Sequence, residues 1–312
     1  MDRRKFLESM ALLGAASTMP LSFDKLGAMP RTQAWNGTFD ENLVCIISDL
    51  HTCPGSYQPD KLRRTIADIL AMNPRPRNLI SLGDNAYLTG KDEEYALLKE
   101  ILAPLEGSGI VFTMAHGNHD RRENFVKFFP EQVRASVMEN RLVQVVETPR
   151  ADLIVLDTLD EPEDTTTWIT PGAIDDDQKA WLEWKLNSET DKPFFVMSHH
   201  PLDEVKISSI LVNSPTCCGY IHGHDHVWRP DWIKKSYGDR RIVRTLCVPS
   251  TGHWGDIGYT LLNLQEDRGV ATLHEYEYFF PSPAKPDEPK PAAWAAIEED
   301  HKGATCTFIY NK

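Results

Sequence analysis

Five short polar stretches carry the residues whose types and order could do chemistry. They are Asp49-Leu50-His51, Gly83-Asp84-Asn85, Gly117-Asn118-His119-Asp120, Ser198-His199-His200-Pro201 and Gly223-His224-Asp225-His226. Each follows an apolar, β-rich run, so each set of polar groups is expected at a strand terminus. In extended chain, residues i and i+2 point the same way. Asp49 would thereby converge on His51, and His224 on His226. A single Asp at a strand end is ordinarily a helix cap, and a single His ordinarily a packing or surface residue. Five such sets in order, each with a side chain able to hold a metal ion, point instead to one shared site. In open α/β sheets ligands bind at that edge.

The elements that must bring these stretches together alternate. Residues 43–48, 78–82 and 110–114 read as strands. Between them, 60–72 (apolar at Leu62, Ile66, Ile69 and Leu70) and 93–102 read as helices. This order predicts parallel pairing through crossover helices. Short helices are expected within 121–140. Further strands are predicted over 142–147, 153–156, 194–197, 219–221, 242–248, 259–264 and 270–278. A helix opening at Asp175-Asp176-Asp177, whose acids suit the positive end of its dipole, carries Trp181, Leu182, Trp184 and Leu186. The strand-rich second half predicts two sheets packed face to face with helices outside. Residues 281–291 hold five of the chain's 21 prolines and read as an extended linker, followed by a short helix over 292–300 and a strand over 305–310. The expected organisation is a domain over 36–280 and an extension over 281–312 packing on it. There is no internal repeat and no coiled coil.

Composition narrows the class. With 41% hydrophobic and 25% charged residues among 312, the chain is neither disordered nor fibrous and can form a substantial core. Its 33 basic and 46 acidic side chains leave −13, which argues against a general nucleic-acid binder. Six cysteines without a C-x-x-C spacing argue against a disulfide scaffold or a zinc ribbon. At the start, Arg3-Arg4-Lys5-Phe6-Leu7 precedes an apolar run over 10–23 broken by Pro20. The pair of arginines before a short apolar segment resembles a twin-arginine export signal; a basic helix start is the alternative. The run is shorter than the ~20 residues of a membrane span. The expectation is therefore a signal over 1–30 that engages the export translocon, a periplasmic protein and no stable membrane anchor. Cleavage beside Ala15-Ala16-Ser17 and beside Gly27-Ala28-Met29 both remain open.

The ordered set D-x-H, G-D, G-N-H-D, H-x-P and G-H-x-H, from Asp49 to His226, resembles the calcineurin-like metallophosphoesterase superfamily. G-N-H-D and G-H-x-H are its most specific parts. The resemblance implies an α/β fold, a four-layer α/β/β/α sandwich, with two metal ions at the sheet ends. It implies that Asp49, His51 and His226 hold one ion, that Asn118, His199 and His224 hold the other, and that Asp84 bridges them. His199 rather than His200 matches the ligand two residues before the proline; His200 is left to orient a neighbour or touch substrate. Carboxylates and imidazoles suit zinc, iron or manganese. A bridging carboxylate can hold two cations about 3.5–4 Å apart.

The reaction implied is hydrolysis of a small phosphomonoester or phosphodiester. Two cations neutralise the phosphoryl oxygens and make hydroxide available near neutral pH. His119, which is not needed as a ligand, would protonate the leaving oxygen, with Asp120 fixing its tautomer. Gly83-Asp84-Asn85-Ala86-Tyr87 also fits the G-D-x-x-Y of purple acid phosphatases, where the tyrosine binds iron. His51 replaces the glycine usual in that branch, so Tyr87 is a candidate ligand or a hydrogen-bonding neighbour. Arg121 and Arg122 are candidate phosphate contacts or a solvated helix start. His253 borders the pocket or is a plain loop histidine, and Trp228 and Trp232 are expected in the core. A non-catalytic metal or phosphate binder and a carbon-ester or lactam hydrolase are the competing classes; the His119-Asp120 pair disfavours the first and the ordered motifs the second.

Overall fold

The computed structural model describes residues 37–164, 166, 170–188, 191–236, 241–279 and 292–310. The expected signal over 1–30 and the proline-rich stretch over 281–291 lie outside the described residues. The first sheet holds β1 (Phe39–Ile47), β2 (Arg75–Ser81), β3 (Val111–Met114), β10 (Gly255–Leu264), β11 (Arg268–Phe279) and β12 (Thr305–Ile309), in the order β12-β11-β10-β1-β2-β3. The second holds β4 (Gln144–Val146), β5 (Asp152–Val155), β6 (Phe194–Ser198), β7 (Cys217–His222), β8 (Arg229–Ile233) and β9 (Val243–Cys247), in the order β4-β5-β6-β7-β9-β8. β1, β2 and β3 run parallel, as do β5, β6, β7 and β9; the remaining pairings are antiparallel.

The four layers follow from a period of two along each central strand. On β1, Val44 and Ile46 face the second sheet, while Cys45 and Ile47 face helices. Those helices include α1 (Gln58–Ala71), which buries Leu62, Ile66 and Ile69, and α2 (Asp92–Leu102), which buries Tyr95, Leu98 and Ile101. On β6, Phe195 and Met197 face the first sheet. Phe194 and Val196 face the opposite way, toward α5 (Asp176–Ser188). Of the apolar residues expected on α5, Leu182 and Leu186 are buried, Trp181 is half-buried and Trp184 is 59% exposed. The short helices expected within 121–140 are α3 (Arg122–Phe128) and α4 (Pro130–Arg134). Among the described residues no helix is long and apolar enough to cross a membrane.

One feature differs from the sequence reading. Trp232 does not join the core: it lies on the edge strand β8, 47% exposed, while Trp228 is buried. β8 carries a proline and little apolar pattern, so its strand character comes from pairing with β9 alone. Residues 292–310 form one compact unit with the body. α6 (Ala292–His301) leads into β12, which pairs with β11 and places Phe308 in the central core. The sheets interlock there. A Cβ on Gly219 of β7 would overlap the Phe308 ring, and one on Gly269 of β11 would overlap Phe195, so each ring fills a glycine notch in the opposite sheet. The two rings meet edge to face, centroids 5.2 Å apart. Gly219→Ala is expected to cost about 1–3 kcal/mol by overpacking, and Phe308→Ala about 3–5 kcal/mol. In urea unfolding the double variant should cost less than the sum, because removing the ring opens space for the methyl.

Candidate metal centre

The five polar stretches sit at the carboxyl ends of β1, β2, β3, β6 and β7, at the edge where the two sheets meet. Their convergence has a different local cause from the one expected. Asp49 and His51 follow β1 in left-handed backbone, φ 53° and 43°, and so do Asp84 at 49°, His224 at 74° and His226 at 54°. Five of the eight non-glycine residues with positive φ among the described residues are thus candidate ligands. Such conformations cost roughly 1–3 kcal/mol each and persist where the surroundings enforce them. Here backbone bonds do so: Asp49 N–H donates to Gly83 O, His51 N–H to Asp84 O and Thr52 N–H to Asn85 O, zipping the first motif along the second. Gly117 and Gly223 permit the approach. A Cβ on Gly117 would overlap the Asp84 carboxylate, and one on Gly223 would overlap Ser48 and crowd Asp49.

The side chains form one connected cluster. His51 Nε2 and His226 Nε2 are 3.2 Å apart, and His226 Nε2 is 3.2 Å from Asp49 Oδ1. At the other end Asn118 Oδ1 lies 3.1 Å from His199 Nε2 and 3.0 Å from His224 Nδ1. Between the groups, Asp84 Oδ2 is 3.3 Å from His199 Nε2, 3.5 Å from His51 Nε2 and 3.8 Å from His119 Nε2.

Tautomers decide what this cluster can hold. His51 Nδ1 pairs with Tyr87 O at 3.0 Å, and His199 Nδ1 with Leu82 O at 3.0 Å. A carbonyl accepts, so each Nδ1 carries a hydrogen, and in the neutral ring Nε2 turns its lone pair inward. These nitrogens face carboxylate and carboxamide oxygens, an arrangement that either a proton or a metal ion can bridge. Nitrogen and oxygen donors of this kind suit zinc, iron or manganese. Among the described residues four triads of metal-compatible atoms occur: Asp49-His51-His226, His51-Asp84-His119, Asp49-Asp84-His199 and His199-His200-His224. Burial would raise the Asp84 carboxyl, but His199, His119 and His51 hold it well below the usual carboxylate range. Burial would lower His199, but Asp84 and Asp49 push it up to about 9, while burial drives His51 well below its ordinary value.

His119 and its neighbours need a correction. Its Nδ1 pairs with Leu88 O at 2.9 Å, so a backbone carbonyl rather than Asp120 orients the ring. The Asp120 carboxylate instead accepts from the backbone N–H groups of Asn85, Ala86 and Gly117, from the Asn85 amide and from the Tyr95 hydroxyl. It ties the second motif to the third.

Arg121 is neither a solvated helix start nor turned to phosphate. It is buried, and its guanidinium donates to Pro162 O and Asp164 O. Arg122 pairs with Asp157 at 2.9 Å and Glu161 at 3.3 Å. Together they pin the 157–164 segment. His200 directs Nδ1 to the Thr158 hydroxyl at 2.8 Å and keeps Nε2 enclosed without a protein partner. Tyr87 lends its carbonyl to His51, and its ring stands edge-on to His51 and His253. His253 lies over His51, centroids 4.1 Å apart, and burial and His226 push it down to about 4.

Sequence reasoning missed Glu204, 3.7 Å from His224 Nε2, and Gln58, bonded to His253 Nδ1; an isolated Glu or Gln far from any motif gave no signal.

Three comparisons bear on this geometry. The family model described as Calcineurin-like phosphoesterase matches residues 43–228. A Rhodopseudomonas palustris protein named "Probable cyclic nucleotide phosphodiesterase" is 33% identical over 143 residues, 46% of this chain and 48% of that protein. The match thus spans about half the relative's length. A dimetal phosphatase from Danio rerio superposes with a TM-score of 0.58 at 15% identity, over 76% of this chain and 96% of that one, a likeness of fold.

Asp157 supplies a pH test. Burial would raise its carboxyl, but Arg122 and His116 hold it far below the carboxylate range. Its stabilisation is therefore complete above the unfolded value of about 3.9 and lost as pH falls through the lower folded value. Asp157→Asn is expected to flatten the acid limb of stability against pH in thermal melts between pH 3 and 7 (about 3–5 kcal/mol lost at neutral pH, for a broken buried pair).

Proposed function

The chain belongs to the calcineurin-like phosphoesterase family, and from that premise we propose that it is a dinuclear metal-dependent hydrolase of small phosphate esters. Asp49, His51 and His226 would hold one ion and Asn118, His199 and His224 the other, with Asp84 placed between the two groups. The observation that carries this reading is the Asp84 carboxylate. One oxygen lies within 3.3–3.8 Å of imidazole nitrogens from three different motifs. Bound cations of this kind neutralise phosphoryl oxygens and lower the pKa of water.

The residues themselves supply position and a proton. Leu88 O fixes His119 with Nε2 toward Asp84, where a proton on Nε2 is delivered to the leaving oxygen. The printed name of the R. palustris relative supports a phosphodiester as substrate, including a cyclic nucleotide.

The test is metal content together with hydrolysis of bis(4-nitrophenyl) phosphate and 4-nitrophenyl phosphate after loading with manganese, iron or zinc. Wild type should hold two ions per chain and hydrolyse at least one ester. Asp84→Ala should lose at least one ion and turnover. His119→Ala should keep both ions and lose ~10²–10⁴-fold in kcat. Two ions without hydrolysis would leave the non-catalytic binder standing. Export by the twin-arginine route is proposed on Arg3-Arg4; the Arg3→Lys, Arg4→Lys double variant is expected to stay in the cytoplasm on cell fractionation.

A further inference from the structure

Of the imidazoles around the centre, His51, His119, His199 and His226 are buried, whereas His224 and His253 keep part of their rings at the surface. His253 lies on the loop between β9 and β10, and both its main-chain groups are tied. Its N–H donates to Ser250 Oγ at 2.9 Å, and its carbonyl accepts from the Tyr57 hydroxyl at 2.7 Å. The ring is held by two aromatic neighbours and at one end. It lies over His51 with a 35° tilt, and Tyr87 stands edge-on to it at 5.6 Å. The amide of the buried Gln58 donates to Nδ1 at 3.0 Å. Nδ1 is then the acceptor, and the ring's hydrogen sits on Nε2. Among the described residues Nε2 has no protein partner, and it is not one of the enclosed polar atoms. A ring fixed by three neighbours, on a backbone tied at both its polar groups, thus presents one open N–H donor beside a candidate metal ligand. That donor is in addition to everything the family motifs supply.

An ester seated against Asp84 carries oxygens that need donors. Arg121 and Arg122, the basic side chains next to the third motif, are spent on the 157–164 segment. We propose that His253 is a substrate-binding residue whose Nε2–H donates to a phosphoryl oxygen on the His51–His226 side of the centre, with Gln58 as the positioning residue that fixes its tautomer. The inference rests on the phosphoesterase reading above.

The test uses His253→Phe, which keeps an aromatic ring over His51 and removes the donor. Inorganic phosphate is titrated calorimetrically into manganese-loaded wild type and variant, alongside metal analysis and kcat/KM for bis(4-nitrophenyl) phosphate. Expected are a phosphate affinity and a kcat/KM both ~10–100-fold lower, the size of a hydrogen bond to a charged group, with metal content unchanged. Phosphate affinity within twofold of wild type overturns the inference, and so does loss of metal in the variant, which would make His253 a support for His51. The tautomer is read independently in metal-free protein by long-range ¹⁵N–¹H correlation of labelled histidine; hydrogen on Nδ1 overturns the assignment. If wild type binds phosphate but hydrolyses no ester, the hydrolase reading fails while the phosphate titration still decides the role of His253.

Discussion

A buried carboxylate facing several imidazole nitrogens is the constraint on which this structure turns. Acceptors enclosed together are costly unless a proton or a cation lies between them, and Asp84 meets the Nε2 atoms of His51 and His199 at 3.5 and 3.3 Å. With the rings neutral, these donors suit a metal ion. Backbone carbonyls at strand ends, Leu82 O and Tyr87 O, occupy Nδ1 of the rings and leave Nε2 for the centre. The motif glycines serve the same end, since the third and fifth motifs can press on Asp84 and Asp49 only where no Cβ intervenes.

The two-sheet body holds that edge in register. Parallel pairing of β1 with β2 and β2 with β3 brings three motifs side by side, and β6 with β7 brings the other two. The sheets are locked against sliding by the reciprocal seating of Phe195 and Phe308 in the notches at Gly269 and Gly219. One of those rings lies on β12, a strand beyond the proline-rich stretch, so the last strand of the chain is part of the frame that positions the site.

Several polar residues proved to be structural ties. Asp120 gathers donors from two motifs, and burial raises its carboxyl further than His116 can lower it. Arg121 and Arg122 spend their forks on one loop, and Gln178 closes a reciprocal pair with the backbone of Asp157. Residue type alone does not separate a guanidinium aimed at phosphate from one aimed at carbonyls. The difference is which segment lies opposite, a long-range fact.

Local pattern was enough to mark the strands of the parallel sheets, the apolar stripe of α1 and the five polar stretches at strand ends, because burial on alternate faces and helical spacing leave their period in the residues. It did not reveal β8, whose exposed edge has no apolar alternation, nor that β12 would pair with β11. Nor did it reveal why the motif side chains converge: left-handed turns held by cross-motif bonds, rather than extended pleating. The partners of Asp120, Arg121 and His253 were likewise beyond it. Hydrogen-bond direction depends on groups brought together from distant parts of the chain, and only the tertiary structure sets which atom of each ring or carboxylate is left over for chemistry.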